Sequence, residues 1–260
     1  MRKDFQVKKM FQRIAFSYDF QNSVLSLGRD IYWRKVLAET VHTEKDNLIL
    51  DMATGTAEVA IEICRRHPKA LVIGLDFSPN MLTIGWRKVR ARRLHERIHL
   101  SIGDARSLPL KSASFGAVTM AFGIRNIEER QWALSEFRRI LKPGGQLCIM
   151  EFGYPDDPVV GRLYRWYFNW VLPPFGNWLS RTKDAYTYLV SSVRSFPGQE
   201  EFVREMGKAG FDQLEVRKLT YGIAKIYMGV KPRTPPPVSN PPSAEERDQW
   251  GRERKEADKR

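Results

Sequence analysis

Short apolar runs alternate with longer amphipathic stretches along most of this chain. Leu48-Ile49-Leu50, Leu71-Val72-Ile73-Gly74-Leu75 and Ile98-His99-Leu100-Ser101-Ile102-Gly103 are each about a strand in length and rich in branched residues. Such runs, separated by helix-like segments, predict parallel strands of an α/β sheet. A fourth strand is expected at 115–121 and a fifth at 146–151, after the turn Lys142-Pro143-Gly144-Gly145. Between them Trp132, Ala133, Leu134, Phe137 and Ile140 recur at helical spacing. The last two strands are expected at 213–218 and 224–230, behind an amphipathic helix over 200–209 that stops at Gly210. Residues from about 5 to 40 read as helices that precede the sheet.

Each of the first three runs closes on an acid: Asp51, Asp76 and Asp104. Ligands of open α/β sheets bind outside the carboxyl ends of the strands. Three carboxylates there can accept hydrogen bonds from different parts of one polar ligand, a pattern suited to a nucleoside. The first loop, Met52-Ala53-Thr54-Gly55-Thr56-Ala57, narrows the choice. A phosphate-binding loop needs Gly-x-x-x-x-Gly-Lys-Ser/Thr, and no lysine lies in this turn. A dinucleotide loop needs Gly-x-Gly-x-x-Gly, and only Gly55 is present. What remains is one glycine that lets the backbone approach a ligand and an acid, Asp76, about 20 residues on, a spacing suited to ribose hydroxyls. Asp104 then falls where an exocyclic adenine amine could donate. The plain alternative is a glycine turn of any α/β domain.

Composition bounds the function. A length of 260 residues with 42% hydrophobic content suits one large α/β domain with a tail. Cys64 and Cys148 each sit inside an apolar element, with no disulfide or metal spacing, so a reducing cytosol is expected. The segment Met1–Phe5 lacks the apolar stretch of a signal peptide, and no run of 18 apolar residues could span a bilayer. The net charge of +13 raises nucleic acid as a partner. However, the basic run Arg87-Lys88-Val89-Arg90-Ala91-Arg92-Arg93 lies late in a helix starting near Ser78-Pro79, where cations complement the helix dipole. No helix-turn-helix, zinc finger or RNA-stacking motif accompanies it. Attraction to an acidic membrane surface fits better. Residues 153–198 form an insertion rich in aromatics. Its segment 159–172 mixes aromatics, aliphatics and arginines ahead of Pro173-Pro174, which suits a membrane interface or a groove for an apolar tail, with ordinary packing as the alternative. Beyond Lys231 the chain is proline-rich and then charged, and should not fold alone.

The strand-end acids and the first loop resemble the class I S-adenosylmethionine-dependent methyltransferases, with Ala53, Gly55 and Ala57 at that motif's glycine positions. Alanine is expected to cost little there if its backbone stays at negative φ. A closer resemblance lies in Met120-Ala121-Phe122-Gly123-Ile124-Arg125-Asn126-Ile127, which is similar to a signature of the quinone C-methyltransferases, the UbiE/MenG family. Other matching segments are Phe11-x-x-Ile14-Ala15-x-x-Tyr18-Asp19-x-x-Asn22, Trp33-Arg34, Asp76-Phe77-Ser78-Pro79-Asn80-Met81-Leu82 and Leu141–Gly145. Further along are Glu151-Phe152, Leu172-Pro173, Ala185-Tyr186-x-Tyr188-Leu189-x-x-Ser192 and Ala209-Gly210-Phe211. Ala57-Glu58 stands where many relatives have Gly-Asp.

The resemblance implies a Rossmann-like three-layer αβα sandwich around a mostly parallel seven-stranded sheet. It implies an N-terminal helical cover (1–46), a methyltransferase domain (47–231) with its helical insertion at 153–198, and a tail (232–260). It implies S-adenosylmethionine as methyl donor, contacted by Asp51, Gly55, Thr56, Asp76, Phe77, Asp104 and Ala105, with no metal. The substrate implied is a prenylated quinol, demethylmenaquinol first. Arg125 would stabilise its phenolate, since guanidinium keeps its proton, Asn126 would orient a hydroxyl or water, and Tyr18 and Tyr186 could hydrogen-bond the substrate. Arg125-Asn126 could instead cap a helix beginning near Glu128. Localisation is expected in the cytoplasm at the inner membrane face, with nucleic acid excluded as a partner and a homodimer left open. The rival readings are methylation of another hydrophobic phenol or small molecule, a non-catalytic cofactor-binding scaffold, and an RNA-modifying enzyme.

Overall fold

A computed structural model describes residues 26, 28–43, 46–155, 157, 161, 162, 164, 166, 170 and 185–233, with 185–187 and 189 described in their backbone only. The expected helices before residue 26, with Tyr18, and the expected tail beyond 233 lie outside the described residues.

Seven strands form one sheet: β1 (Leu48–Met52), β2 (Leu71–Asp76), β3 (Ile98–Ile102), β4 (Phe115–Ala121), β5 (Leu141–Phe152), β6 (Asp212–Leu219) and β7 (Ala224–Val230). Their spatial order is β3-β2-β1-β4-β5-β7-β6. The first five are parallel, and β7 runs antiparallel to both neighbours. The helices are α1 (Arg29–Thr40), α2 (Glu58–Arg66), α3 (Pro79–Ala91), α4 (Arg130–Ile140), α5 (Ala185–Ser195) and α6 (Gln199–Lys208).

Strand periodicity sorts the core into two layers. Ile49, Val72, Ala117 and Cys148 face one way, packed with Trp33 and Leu37 of α1 and Ala60 and Ile63 of α2. Leu50, Val118, Leu147 and Ile149 face the other way, packed with Leu134 and Phe137 of α4 and Phe202 and Met206 of α6. Because both faces are covered, the central strands are apolar at successive positions, which is the pattern read from the sequence. Truncating a side chain as buried as Phe137 to alanine would cost about 3–5 kcal/mol.

The chain leaves β1 towards β2 and β3, then crosses back to build β4 on the other side of β1. That reversal opens a crevice at the carboxyl ends of β1 and β4, where an open α/β sheet binds its ligand.

The Lys142-Pro143-Gly144-Gly145 segment is not a turn ahead of the fifth strand. It is a bulge inside it: Leu141 already pairs with Phe115, and pairing resumes at Ala117 with Gln146. Gly144 takes φ +78 there, and the bulge is stitched to the end of β7 by Gly144 N–H to Lys231 O (2.8 Å) and Lys231 N–H to Gly145 O (2.9 Å). Arg125 and Asn126 do not cap a helix either. They lie in a separate 3-10 turn, Ile124–Asn126, and α4 starts four residues later at Arg130.

Candidate functional site

Asp51 is the penultimate residue of β1 and is fully buried. Its two oxygens accept from Thr54 Oγ1 (2.6 Å) in the following loop and Thr119 Oγ1 (2.8 Å) on β4. Burial pushes its carboxyl up to about 6, opposed by those two hydroxyls and helped by the charge of Asp76. The geometry makes Asp51 the anchor of the β1 loop.

That loop carries unusual backbone angles. Ala53, Gly55 and Ala57 all take positive φ (54°, 55° and 66°). The condition for a cheap alanine, negative φ, is met at neither position: the loop keeps the left-handed turns of a glycine motif, and alanine bears the strain. At Gly55 a side chain would find almost open space, with Ala53 O the nearest atom at 4.0 Å. Gly123 is the opposite case, because a Cβ there would come within 2.6 Å of Met120 Cε and 2.8 Å of Ala53 Cβ. Glycine is required at that point for the β1 and β4 loops to approach each other.

Asp76 ends β2 beside this loop. It accepts Gly55 N–H (2.8 Å) and Ser78 N–H (2.8 Å), so one carboxylate ties the loop after β1 to the start of α3. Burial pushes it up to about 6 as well, against the backbone N–H groups of Ser78, Gly55 and Phe77. The Ser78 hydroxyl is fully buried, with no hydrogen-bond partner among the described residues.

Asp104 is half exposed and held by Arg106, whose Nη2 lies 2.8 Å from its Oδ2 while Nη1 reaches Glu129 at 3.1 Å. Partial burial raises the Asp104 carboxyl, but the Arg106 hydrogen bonds and charge outweigh it and hold it below its ordinary value. Ala105 is buried with Leu75 and Met52. Thr56 is buried and accepts from Lys88 Nζ (3.1 Å), which also pairs with Glu58 (2.7 Å). The lysine on α3 thus ties Glu58, at the start of α2, to Thr56 of the preceding loop.

The second half of the site follows β4. Phe122 takes φ +56, a strained position for a bulky residue. Its ring stacks on Phe152 at 4.4 Å, with Trp33 tilted against both. This turn aims its carbonyl back at Arg125, whose Nη1 donates to it at 2.7 Å. Arg125 Nη1 also pairs with Glu151 Oε1 at 2.6 Å, and its backbone N–H reaches Glu151 Oε2 at 3.3 Å. Both partners are buried. Arg125 Nε lies 3.4 Å from Ser192 Oγ, while Nη2 donates to no described residue. Asn126 Oδ1 accepts the hydroxyl of Tyr188 at 2.9 Å.

So Asp51, Gly55, Thr56, Asp76, Phe77, Asp104 and Ala105 lie along the carboxyl ends of β1, β2 and β3, while Arg125 and Asn126 follow β4 next to the same loop. Tyr18 is outside the described residues, and of Tyr186 only the backbone is described. Reading the sequence assigned no role to Glu151, Tyr188 or Ser192, although all three stand in the quoted segments. Glu151 carried a signal: like the three acids, it closes an apolar strand.

The match to the ubiE/COQ5 methyltransferase family covers residues 1–231. The chain is 41% identical over 227 residues to the ubiquinone/menaquinone biosynthesis C-methyltransferase UbiE of Geotalea daltonii, covering 87% of this chain and 96% of that one. It is 42% identical over 223 residues to the demethylmenaquinone methyltransferase of Thermus thermophilus, covering 86% of this chain and all of the relative. Among solved structures, a SAM-dependent methyltransferase from Thermotoga maritima superposes with a TM-score of 0.60 at 21% identity, covering 86% of this chain and 99% of that one. That likeness speaks to the fold alone. Sheet order, strand-end acids and the extent of these matches agree: the chain belongs to the ubiE/COQ5 methyltransferase family.

Proposed function

We propose that the protein moves a methyl group from S-adenosylmethionine to a ring carbon of a reduced, prenylated naphthoquinol, converting demethylmenaquinol to menaquinol and releasing S-adenosylhomocysteine and the proton of that ring carbon. The observation that carries this reading is the pairing, at one sheet edge, of a nucleoside-type acid set with a buried arginine and a partly buried amide. The donor set fits the methyl donor. Asp76, held by the backbone N–H groups of Gly55, Ser78 and Phe77, has about four acceptor sites in all and so retains acceptor capacity for a ribose hydroxyl. The open space over Gly55 suits a close backbone approach, and the unsatisfied Ser78 hydroxyl supplies a further polar atom nearby in the chain. S-adenosylmethionine, when bound, supplies a methyl group made electrophilic by its sulfonium.

The chain's own residues must then raise the nucleophilicity of a phenolic ring carbon. A neutral phenol is a poor carbon nucleophile, whereas the phenolate pushes charge onto the ring. Arg125 is neutralised as a net charge by Glu151, so its contribution is directional: Nη2 donates to the developing phenolate oxygen in a site from which water is largely excluded. Asn126 orients the same ring by its amide. Holding ring carbon and methyl in line accounts for further acceleration.

Association with a membrane surface belongs to the same reading. No described helix is long and apolar enough to cross a membrane. Trp166 and Trp170 of the insertion are 57% and 74% exposed, and the chain carries a net charge of +13, a combination suited to an acidic interface. Flotation with liposomes containing acidic lipid should carry the protein upward; complete exclusion from the lipid fraction would refute this part. The substrate itself is tested by profiling quinones in a strain lacking the gene. Accumulation of the demethylated naphthoquinone is expected, and an unaltered quinone pool would reject the proposal. Methylation of some other hydrophobic phenol is the reading that remains if a different unmethylated precursor accumulates.

A further inference from the structure

Helix α5 reaches the turn after β4 with two side chains one helical turn apart. Tyr188 meets Asn126 and Ser192 meets Arg125. The Asn126 amide is the informative contact. Its Nδ2 faces the Phe122 carbonyl at 3.5 Å, and a carbonyl can only accept, so that end of the amide is the donor. The opposite end is therefore the oxygen, and the Tyr188 hydroxyl, 2.9 Å away, donates to it. The Phe122 contact is too long to fix the amide by itself. Loss of the phenol would free the side chain to rotate or to exchange its two ends.

We propose that Tyr188 is a positioning residue which, by donating to Asn126 Oδ1, fixes the amide so that Nδ2 presents its second hydrogen to the substrate's oxygen. This deepens the proposed quinol reading and rests on it for the identity of the substrate. The phenol contributes through Asn126, from an element that the sequence places 62 residues away from its partner. Tyr188→Phe keeps the ring and removes only the donor, so the chain should fold as before.

The test combines a double-mutant cycle with a spectroscopic readout. Turnover of a reduced demethylated prenyl naphthoquinone is measured at saturating S-adenosylmethionine for Tyr188→Phe, Asn126→Ala and the double variant. Tyr188→Phe should lower kcat about tenfold, the scale of one net hydrogen bond, with cofactor Kd unchanged and Tm lowered by no more than about 4 °C. In the Asn126→Ala background it should cost nothing further. With asparagine labelled by nitrogen-15, the side-chain amide pair that Asn126→Ala removes should shift or broaden in Tyr188→Phe. Equal losses in both backgrounds, undiminished turnover, or an unchanged amide signal would each overturn the proposal. A wild-type protein that methylates no quinol would instead reject the proposed function, and the amide signal alone would then decide the positioning role.

Discussion

Asp51 and Asp76 are the carboxylates of the candidate site whose chemistry departs most from solution behaviour. Burial lifts each from an ordinary value of 3.8 to about 6. Folding therefore favours their protonated forms. The stability they contribute is complete below about pH 4 and is lost as pH rises through about 6. The thermal midpoint of the ligand-free protein should carry a component that falls between about pH 4 and 6, and Asp51→Asn should reduce it to the share of Asp76. A fall equally steep in Asp51→Asn and in the wild type would contradict the assignment. A cationic ligand prefers the ionised carboxylates, so binding of S-adenosylmethionine should release protons and weaken below about pH 6. Titration calorimetry in buffers of different ionisation heat would detect the release. Ala57 gives a second prediction. It bears positive φ while its methyl is buried. In Ala57→Gly, relief of about 1 kcal/mol of strain offsets the lost methyl of about 0.8 kcal/mol, so denaturant midpoints should barely move. Ala57→Val places a branched side chain at the same angle and should cost at least about 2 kcal/mol.

Between elements, the Arg125–Glu151 pair joins the turn after β4 to the end of β5. Arg125→Ala alone confuses catalysis with folding, because it strands the Glu151 carboxylate and should destabilise by about 3–5 kcal/mol. Replacing both with apolar residues, as in Arg125→Met with Glu151→Leu, should recover most of that stability in urea denaturation while methyl transfer stays lost. Recovered activity would show that the pair serves the fold alone. The same pair marks how far the sequence could be read. Strands, helix order and the acids at strand ends were legible because parallel strands buried on both faces advertise themselves by unbroken apolar runs, and polar residues at their ends stand out. Pairing across elements was not: Thr119 lies 68 residues from the Asp51 it serves, and Glu151 lies 26 from Arg125. Only the strand order brings them together. The angles of Ala53 and Ala57 were hidden for another reason, since only glycine announces a left-handed turn by its identity. In the Lys142–Gly145 segment the turn chemistry was plain, but that Leu141 already pairs with Phe115 on β4 depends on the neighbouring strand.

For the whole molecule, charge and family boundary coincide. The match ends at residue 231, where the Lys231 backbone closes the bulge of β5. Charges in residues 234–260 cancel and Arg233 contributes one, so a net +12 of the +13 resides in the part the family covers. A chain ending after Arg233 should keep its thermal midpoint, its methyl transfer and its affinity for acidic liposomes; loss of lipid binding would place the membrane contact in the tail. The central claim concerns what this sheet edge brings together: a nucleoside held by strand-end acids and a phenol held by Arg125 and Asn126. It is tested most directly by incubating the purified protein with methyl-labelled S-adenosylmethionine and chemically reduced demethylmenaquinone. The account predicts label on a ring carbon of menaquinol, dependent on the quinone being reduced. Binding of S-adenosylmethionine without transfer of label to the quinol ring would contradict it.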